Sequence, residues 1–187
     1  MDYDGEPFAY YPGFINKEKA AEYYHKLVRE IDLKQSEIFM YNRMVPEPRL
    51  GSYHSTITEN PINGTRYVRE IQPFTKTQEE LRKMVSDFLG IEFNAVLVNL
   101  YRNGEDYIGM HSDREEHSKP IASLSFGATR KFHLRKLYKT KGRDFEFHLQ
   151  AGDLFVMKDN CQRIYKHGVP KEKNVRKPRL NLTFRQF

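Results

Sequence analysis

The chain has 187 residues, 39% of them hydrophobic and 13% aromatic, with no Trp but 12 Tyr and 13 Phe, a balance that suits one domain with a sizeable core and excludes global disorder. No apolar run approaches the length of a membrane helix, and the single Cys161 excludes an internal disulfide framework and fits a reducing, intracellular setting. The formal net charge of +6 suits a polyanionic partner such as nucleic acid, although many basic proteins are simply soluble and basic.

From the N-terminus, the acidic start MDYDGEPF is not a signal peptide. Residues 16–32, NKEKAAEYYHKLVREID, have helical spacing: Asn16 is the cap, and Ala20, Tyr24, Leu27, Val28 and Ile31 form the apolar stripe. Residues 41–76 hold Pro, Gly and Asn among ambiguous short strands. A second helix is predicted over 78–89, with Thr77 and Glu80 as capping box, Leu81, Met84, Val85, Phe88 and Leu89 as buried face, and Gly90 as stop. From residue 94 the pattern changes to short alternating runs at 95–101, 106–111, 120–126, 129–137, 144–149, 153–157, 163–167 and 179–187. KEKNVRKPR, Lys171 to Arg179, reads as a basic loop closed by Pro178. Helices followed by many strands imply an α+β, mainly β layout, with helices packed on an antiparallel sandwich or barrel.

In DYIGMHSDREEH, His111 and Asp113 stand two apart, so an extended backbone there sends both side chains to one face, where they could share a metal ion. A lone His-x-Asp is common by chance and needs a third ligand. His25 lies in the first helix beside tyrosines, His133 and His148 alternate with apolar residues in strands, and His117 sits in the charged run REEHSKP. His167, in RIYKHGVP, ends a strand before a turn, where a ligand can face an open cavity. Two His and one carboxylate leave coordination positions open, as non-haem Fe(II) oxygenases require; zinc could use the same donors.

The last strand discriminates. RLNLTFR alternates with period two, placing Arg179, Asn181, Thr183 and Arg185 on one face and Leu180, Leu182 and Phe184 on the other. If the polar face turned inward, two arginines without counter-charge would cost several kcal/mol each. Six residues of strand span about 20 Å and each arginine reaches inward by roughly 6 Å, leaving room for a short dicarboxylate. Asn99 and Tyr101, also two apart, could add hydrogen bonds to it.

The ordered elements NLYRNGEDYIGMHSDREE, PIASLSFGATRKF, AGDLFVM, HGVPKE and PRLNLTFR resemble the AlkB family of Fe(II)- and 2-oxoglutarate-dependent dioxygenases, over about the second half of the chain. With PRLGSY upstream, the wording is similar to the nucleic-acid repair branch. The resemblance implies a double-stranded β-helix (jelly-roll) barrel over 94–187, and N-terminal helices with a nucleotide-recognition lid over 1–93. It implies Fe(II) bound by His111, Asp113 and His167, and 2-oxoglutarate held by Asn99, Tyr101, Arg179, Asn181 and Arg185, with Arg179 on the distal carboxylate and Arg185 nearer the iron. Molecular oxygen is the other co-substrate, and the implied reaction oxidises an N-methyl group to formaldehyde while 2-oxoglutarate becomes succinate and carbon dioxide. Tyr53 matches the position of a base-stacking aromatic, Glu115 that of an acidic residue facing the exocyclic amine, and Arg49 is a candidate contact to phosphate or base. The partner implied is alkylated DNA or RNA, carrying lesions such as 1-methyladenine or 3-methylcytosine, and the enzyme is expected to be a monomer. Residues 54–76 depart from the family's paired-tyrosine strand, and IDLKQ stands where a tryptophan is frequent. Two alternatives stay open at this point: hydroxylation of a protein or small molecule by the same iron chemistry, and a nucleic-acid-binding module with a vestigial barrel.

Overall fold

A computed structural model describes residues 3, 5–40, 42–57, 70–113, 119–137 and 144–187. Three helices and thirteen strands are present among them, and no helix is long and apolar enough to cross a membrane.

The first helix, α1 (Lys17–Glu30), begins where expected: the Asn16 side chain accepts from Lys19 N at 2.8 Å. Its buried residues are Ala20, Tyr23 and Leu27, spaced at three and four. The apolar stripe is therefore rotated from the one predicted, and Val28 is 40% exposed. The second helix, α2 (Lys76–Leu89), starts two residues before the predicted position. Its capping box is Thr75 with Gln78, because Thr77 is engaged by the other helix: its hydroxyl donates to Glu30 Oε1 at 2.6 Å. Gly90 ends the helix in the left-handed region, φ 67°. Leu81 and Val85 are buried as predicted, whereas Phe88 is 49% exposed and leans on the rings of Tyr11 and Phe14.

The strands are β1 (Phe8–Tyr11), β2 (Glu37–Met40), β3 (Arg43–Pro46), β4 (Leu50–Ser55), β5 (Ile71–Gln72), β6 (Ala95–Tyr101), β7 (Ile108–His111), β8 (Ile121–Gly127), β9 (Arg130–Lys136), β10 (Phe145–Leu149), β11 (Leu154–Met157), β12 (Tyr165–Val169) and β13 (Arg179–Arg185). Seven form a large sheet, β1-β11-β8-β13-β6-β4-β5; four form a smaller one, β10-β9-β12-β7; β2 and β3 make a separate hairpin. All pairs are antiparallel except β4 with β5. β4, from the region that reads ambiguously in sequence, and β1, where the sequence reading places no strand, extend the large sheet. A short helix, α3 (Cys161–Ile164), precedes β12 and displaces the start predicted at 163.

The expected layout of α+β, mainly β, is present, but strand pairing does not close a barrel among the described residues. Side chains join the two sheets instead. One core lies between the large sheet and the helices, where Leu180, Leu182 and Phe184 meet Val96, Val98, Leu124, Tyr23, Leu27 and Leu81. The other gathers Phe8, Ile121, Phe132, Phe147, Phe155 and Tyr165. Each large side chain fully removed from water contributes about 1.5–3 kcal/mol. The central strand, β13, has a core on one face, so its alternate residues are turned into the space between the sheets, and all seven are buried.

Candidate metal centre and anion pocket

β7 and β12 are antiparallel neighbours, and their register sets His111 directly opposite His167. The ring centroids are 4.2 Å apart. Asp113 lies beyond the end of β7, in irregular backbone rather than the extended segment assumed from sequence. Buried Gln162 of α3 accepts from Asp113 N at 3.1 Å, and Ser112 Oγ donates to Tyr165 O at 3.3 Å, which turns this connector towards β12. Asp113 Oδ1 is 3.5 Å from His111 Nε2, and Oδ2 is 3.7 Å from His167 Nε2. One donor atom from each residue lies within 4.8 Å of the others. Donors about 2.1 Å from an ion and at right angles would be about 3 Å apart, a small side-chain adjustment away.

The protonation pattern suits a cation. His111 Nδ1 is 2.8 Å from Gly109 O; a carbonyl only accepts, so the proton resides on Nδ1 and the Nε2 lone pair faces the cluster. Burial, reinforced by neighbouring His111, pushes His167 down to about 3, so its imidazole is neutral at neutral pH. Burial opposes ionisation of Asp113, but the charge of the Arg185 guanidinium leads the causes that outweigh it, and the carboxyl is held well below the usual range. Arg185 Nη2 lies 3.0 Å from Asp113 Oδ2. The neutral imidazole of His167, the open Nε2 of His111 and one carboxylate fit a divalent transition-metal ion with positions left open.

The inward face of β13 carries the anion side. Arg179 is 1% exposed. Its Nη2 donates to Ser125 Oγ at 2.9 Å, while Nε and Nη1 are buried with no hydrogen-bond partner. Among the described residues no carboxylate forms an ion pair with it, and burial lowers its pKa to about 10. A buried guanidinium with two unpaired donors, which Glu172 influences without forming an ion pair, is a receptor for an anion, and a carboxylate matches its fork. Tyr101 packs on it, with Cζ 5.4 Å from the ring centroid. Asn181 is engaged within the protein: Nδ2 donates to Ser123 Oγ and Leu124 O, and Oδ1 accepts from Thr183. Asn99 Oδ1 accepts from Arg49 Nε at 2.9 Å. Ser123, Ser125 and Gln162 therefore belong to the site although sequence reasoning passed over them, and Thr183, placed by sequence on the polar face without a role, joins them. The first two alternate in ASLSF with apolar residues, a signal that could have marked them.

Tyr53 is fully buried on β4, paired with Leu97, so its side chain leaves the sheet on the same face as Asn99 and Tyr101. Arg49 is 5% exposed and its guanidinium is committed to Glu47, at 2.7 Å, and to Asn99, rather than open to a phosphate. Glu115, His117 and most of the lid, 58–69, lie outside the described residues. His25 is exposed beside Tyr24, and His54 is buried between Ser52 Oγ and Pro73 O. His133 and His148 flank Glu146 on the outer face of the small sheet.

Residues 7–185 match the family model described as the 2OG-Fe(II) oxygenase superfamily. Human alpha-ketoglutarate-dependent dioxygenase alkB homolog 3 is 34% identical over 186 residues, covering 94% of this chain and 64% of that protein. The DNA oxidative demethylase ALKBH2 of Bos taurus is 32% identical, covering 95% of this chain and 68% of that one. The uncharacterized protein R406 of Acanthamoeba polyphaga mimivirus is 33% identical, with 98% and 95% covered. The chain thus spans about 64% of the length of the alkB homolog 3 proteins that it matches. In fold it is similar to the solved structure of OsALKBH1, with a TM-score of 0.68 and 16% identity, covering 100% of this chain and 99% of that one.

Proposed function

This chain belongs to the AlkB family of the 2OG-Fe(II) oxygenase superfamily, and from that premise we propose that it is an oxidative demethylase of N-alkylated bases in DNA or RNA. Its two facing sheets are read as the family's double-stranded β-helix. The observation that carries the reading is Arg179: a buried cation with idle donors, on the same face of one strand as Arg185, which meets the His111–Asp113–His167 cluster.

In this reading His111, Asp113 and His167 hold Fe(II) through Nε2, a carboxylate oxygen and Nε2. Fe(II) with 2-oxoglutarate and oxygen supplies an oxidant able to hydroxylate an N-methyl group, whose product loses formaldehyde. The Arg179 Nε and Nη1 donors receive the distal carboxylate of 2-oxoglutarate. Arg185 keeps Asp113 ionised and turned towards the two imidazoles. The Gly109 carbonyl fixes the tautomer of His111, and Phe132, with its ring 5.8 Å from that of His167, keeps water from the buried side of the centre. No side chain acts as a nucleophile. Tyr53 is assigned as a wall for an extruded base, and Glu115 as the contact to its exocyclic amine. The nucleic-acid substrate is supported by the similarity to ALKBH2, a DNA oxidative demethylase, and by the formal charge of +6.

The test is a screen of methylated DNA and RNA oligonucleotides with Fe(II), ascorbate and 2-oxoglutarate, read by mass spectrometry and formaldehyde release. Repair of at least one oligonucleotide is expected, with activity lost in His111→Ala. Succinate formed without dependence on any oligonucleotide would reject the substrate class; no succinate at all would reject the enzyme.

A further inference from the structure

The LSFGATR stretch ends in a residue that the site above leaves unused: Arg130, the first of β9. It is 1% exposed, and four of its five N–H donors are occupied. Nε donates to Glu172 Oε2 at 2.8 Å, Nη1 to Asn103 O at 2.9 Å, and Nη2 to Asp106 O at 2.9 Å and Pro170 O at 2.7 Å. One side chain thereby holds two loops, 102–107 between β6 and β7 and 170–178 between β12 and β13. The loops are also stitched to each other, Gly104 N to Val175 O and Glu172 N to Gly104 O, both at 2.8 Å. They approach so closely that a Cβ at Gly104 would stand 1.8 Å from Glu172 O. The β8–β9 turn is fastened to the same place, Ala128 N donating to Pro178 O at 2.9 Å.

What these loops join is the co-substrate end of the site. Tyr101 is the last residue of β6 and Arg179 the first of β13. The Tyr101 ring lies between two guanidinium groups, its centroid 5.5 Å from Arg130 Cζ and 5.4 Å from Arg179 Cζ. Arg130 has four of its five donors engaged and is neutralised by Glu172, so it is not itself an anion receptor. Its influence passes through the ring it packs on and the two loops it ties. We propose that Arg130, clasped by Glu172, is a positioning residue that fixes Tyr101 and the start of β13, so that the idle donors of Arg179 are aimed before the distal carboxylate arrives. The inference rests on the co-substrate reading above. A lysine at 130 offers three donors from one point and cannot reach acceptors set around a planar fork.

The test is calorimetric titration of 2-oxoglutarate into the full chain loaded with Mn(II), which does not turn over. Arg130→Lys is expected to weaken 2-oxoglutarate by about tenfold, the effect of one well-made hydrogen bond. Its Mn(II) affinity without 2-oxoglutarate should match the parent's, and in turnover with Fe(II) the KM for 2-oxoglutarate should rise with kcat nearly kept. Glu172→Gln carries the test if Arg130→Lys fails to fold. Coulomb's law alone would tighten an anion there because a negative charge is lost, whereas a loosened clasp weakens it by about threefold. Parent-like or tighter 2-oxoglutarate binding in a folded variant, or an equal loss of Mn(II), overturns this inference alone. A parent that binds no 2-oxoglutarate overturns the co-substrate reading and this inference with it.

Discussion

Replacing Arg179 by methionine should move two quantities in opposite directions. The guanidinium is buried, and desolvation lowers its pKa to about 10, which corresponds to a cost of about 3 kcal/mol for holding it charged in the folded protein. Because the folded pKa lies below the unfolded one, the unfolded chain binds more protons between the two values. The full penalty is therefore present at neutral pH and fades only above about pH 10. Methionine removes that penalty at similar volume, but forfeits the hydrogen bond to Ser125 and the contact with Tyr101, together about 2 kcal/mol. The protein without co-substrate should gain about 1 kcal/mol, or about 2–4 °C in Tm. Binding of 2-oxoglutarate should lose two charge-assisted hydrogen bonds, about 3–5 kcal/mol, or roughly a hundred- to several-thousand-fold in Kd. Thermal melts with and without saturating 2-oxoglutarate read both effects, since a ligand that binds only the folded state raises Tm. A variant that melts several degrees lower and still gains the parent's increment from 2-oxoglutarate would show that Arg179 is a structural cation, and the anion pocket would have to be sought elsewhere.

Acid should destabilise the protein without bound metal in two overlapping windows. His167 must charge as the pH falls from its unfolded value of about 6.5 towards about 3, and Asp113 loses its paired charge below about 4. Urea midpoints measured from pH 7 to 4 should fall steadily, and His167→Gln should flatten the decline; an unchanged slope refutes the assignment of a buried neutral imidazole. Gln162→Leu removes the amide that holds Asp113 N and packs on Met157, so metal affinity should drop about tenfold with the far-ultraviolet dichroism preserved. Unaltered Mn(II) titration of that variant would leave Gln162 as core filling only.

The parts of this molecule that sequence made legible are those whose cause is local. Asn16 reads as a cap because its oxygen serves an amide three residues on. Thr75–Gln78 and Thr77–Glu80 both satisfy the capping-box pattern, and the choice between them is made by Glu30 on another helix, which no local reading contains. β6, β8 and β13 alternate because each divides a core from a polar interior, and β9 and β10 because each divides a core from an outer face. β1, FAYY, and β4, LGSYHS, hide because one is three aromatics and an alanine with no polar alternation and the other mixes small and polar residues that are nonetheless buried. In the site, His111, Asp113 and the two arginines announce themselves by residue type and spacing. Ser123 and Ser125 do not, since a hydroxyl on an alternating strand looks the same facing water as facing a neighbour's amide. Arg130 looks like any strand-end cation until its acceptors, which are main-chain carbonyls from two other loops and one carboxylate, are known.

The division of labour between strand and connector follows from this placement. β13 is hydrogen-bonded on both sides, to β6 and to β8, along nearly its whole length, so Arg179 and Arg185 project from backbone that has no freedom to yield. In the proposed reading the receptor for the distal carboxylate would gain from that rigidity, because the donors of Arg179 are placed before the ligand enters. The ligating carboxylate is placed differently. Asp113 stands past the end of β7, held by a glutamine amide, a serine hydroxyl in the same turn and one arginine, with the oxygens still somewhat farther from both imidazoles than a bound ion would draw them. The metal side therefore keeps a short range of adjustment while the anion side keeps none. An ion held by these residues would ask only that the Asp113 oxygens move closer to the two imidazoles, opposite a strand that is paired on both sides.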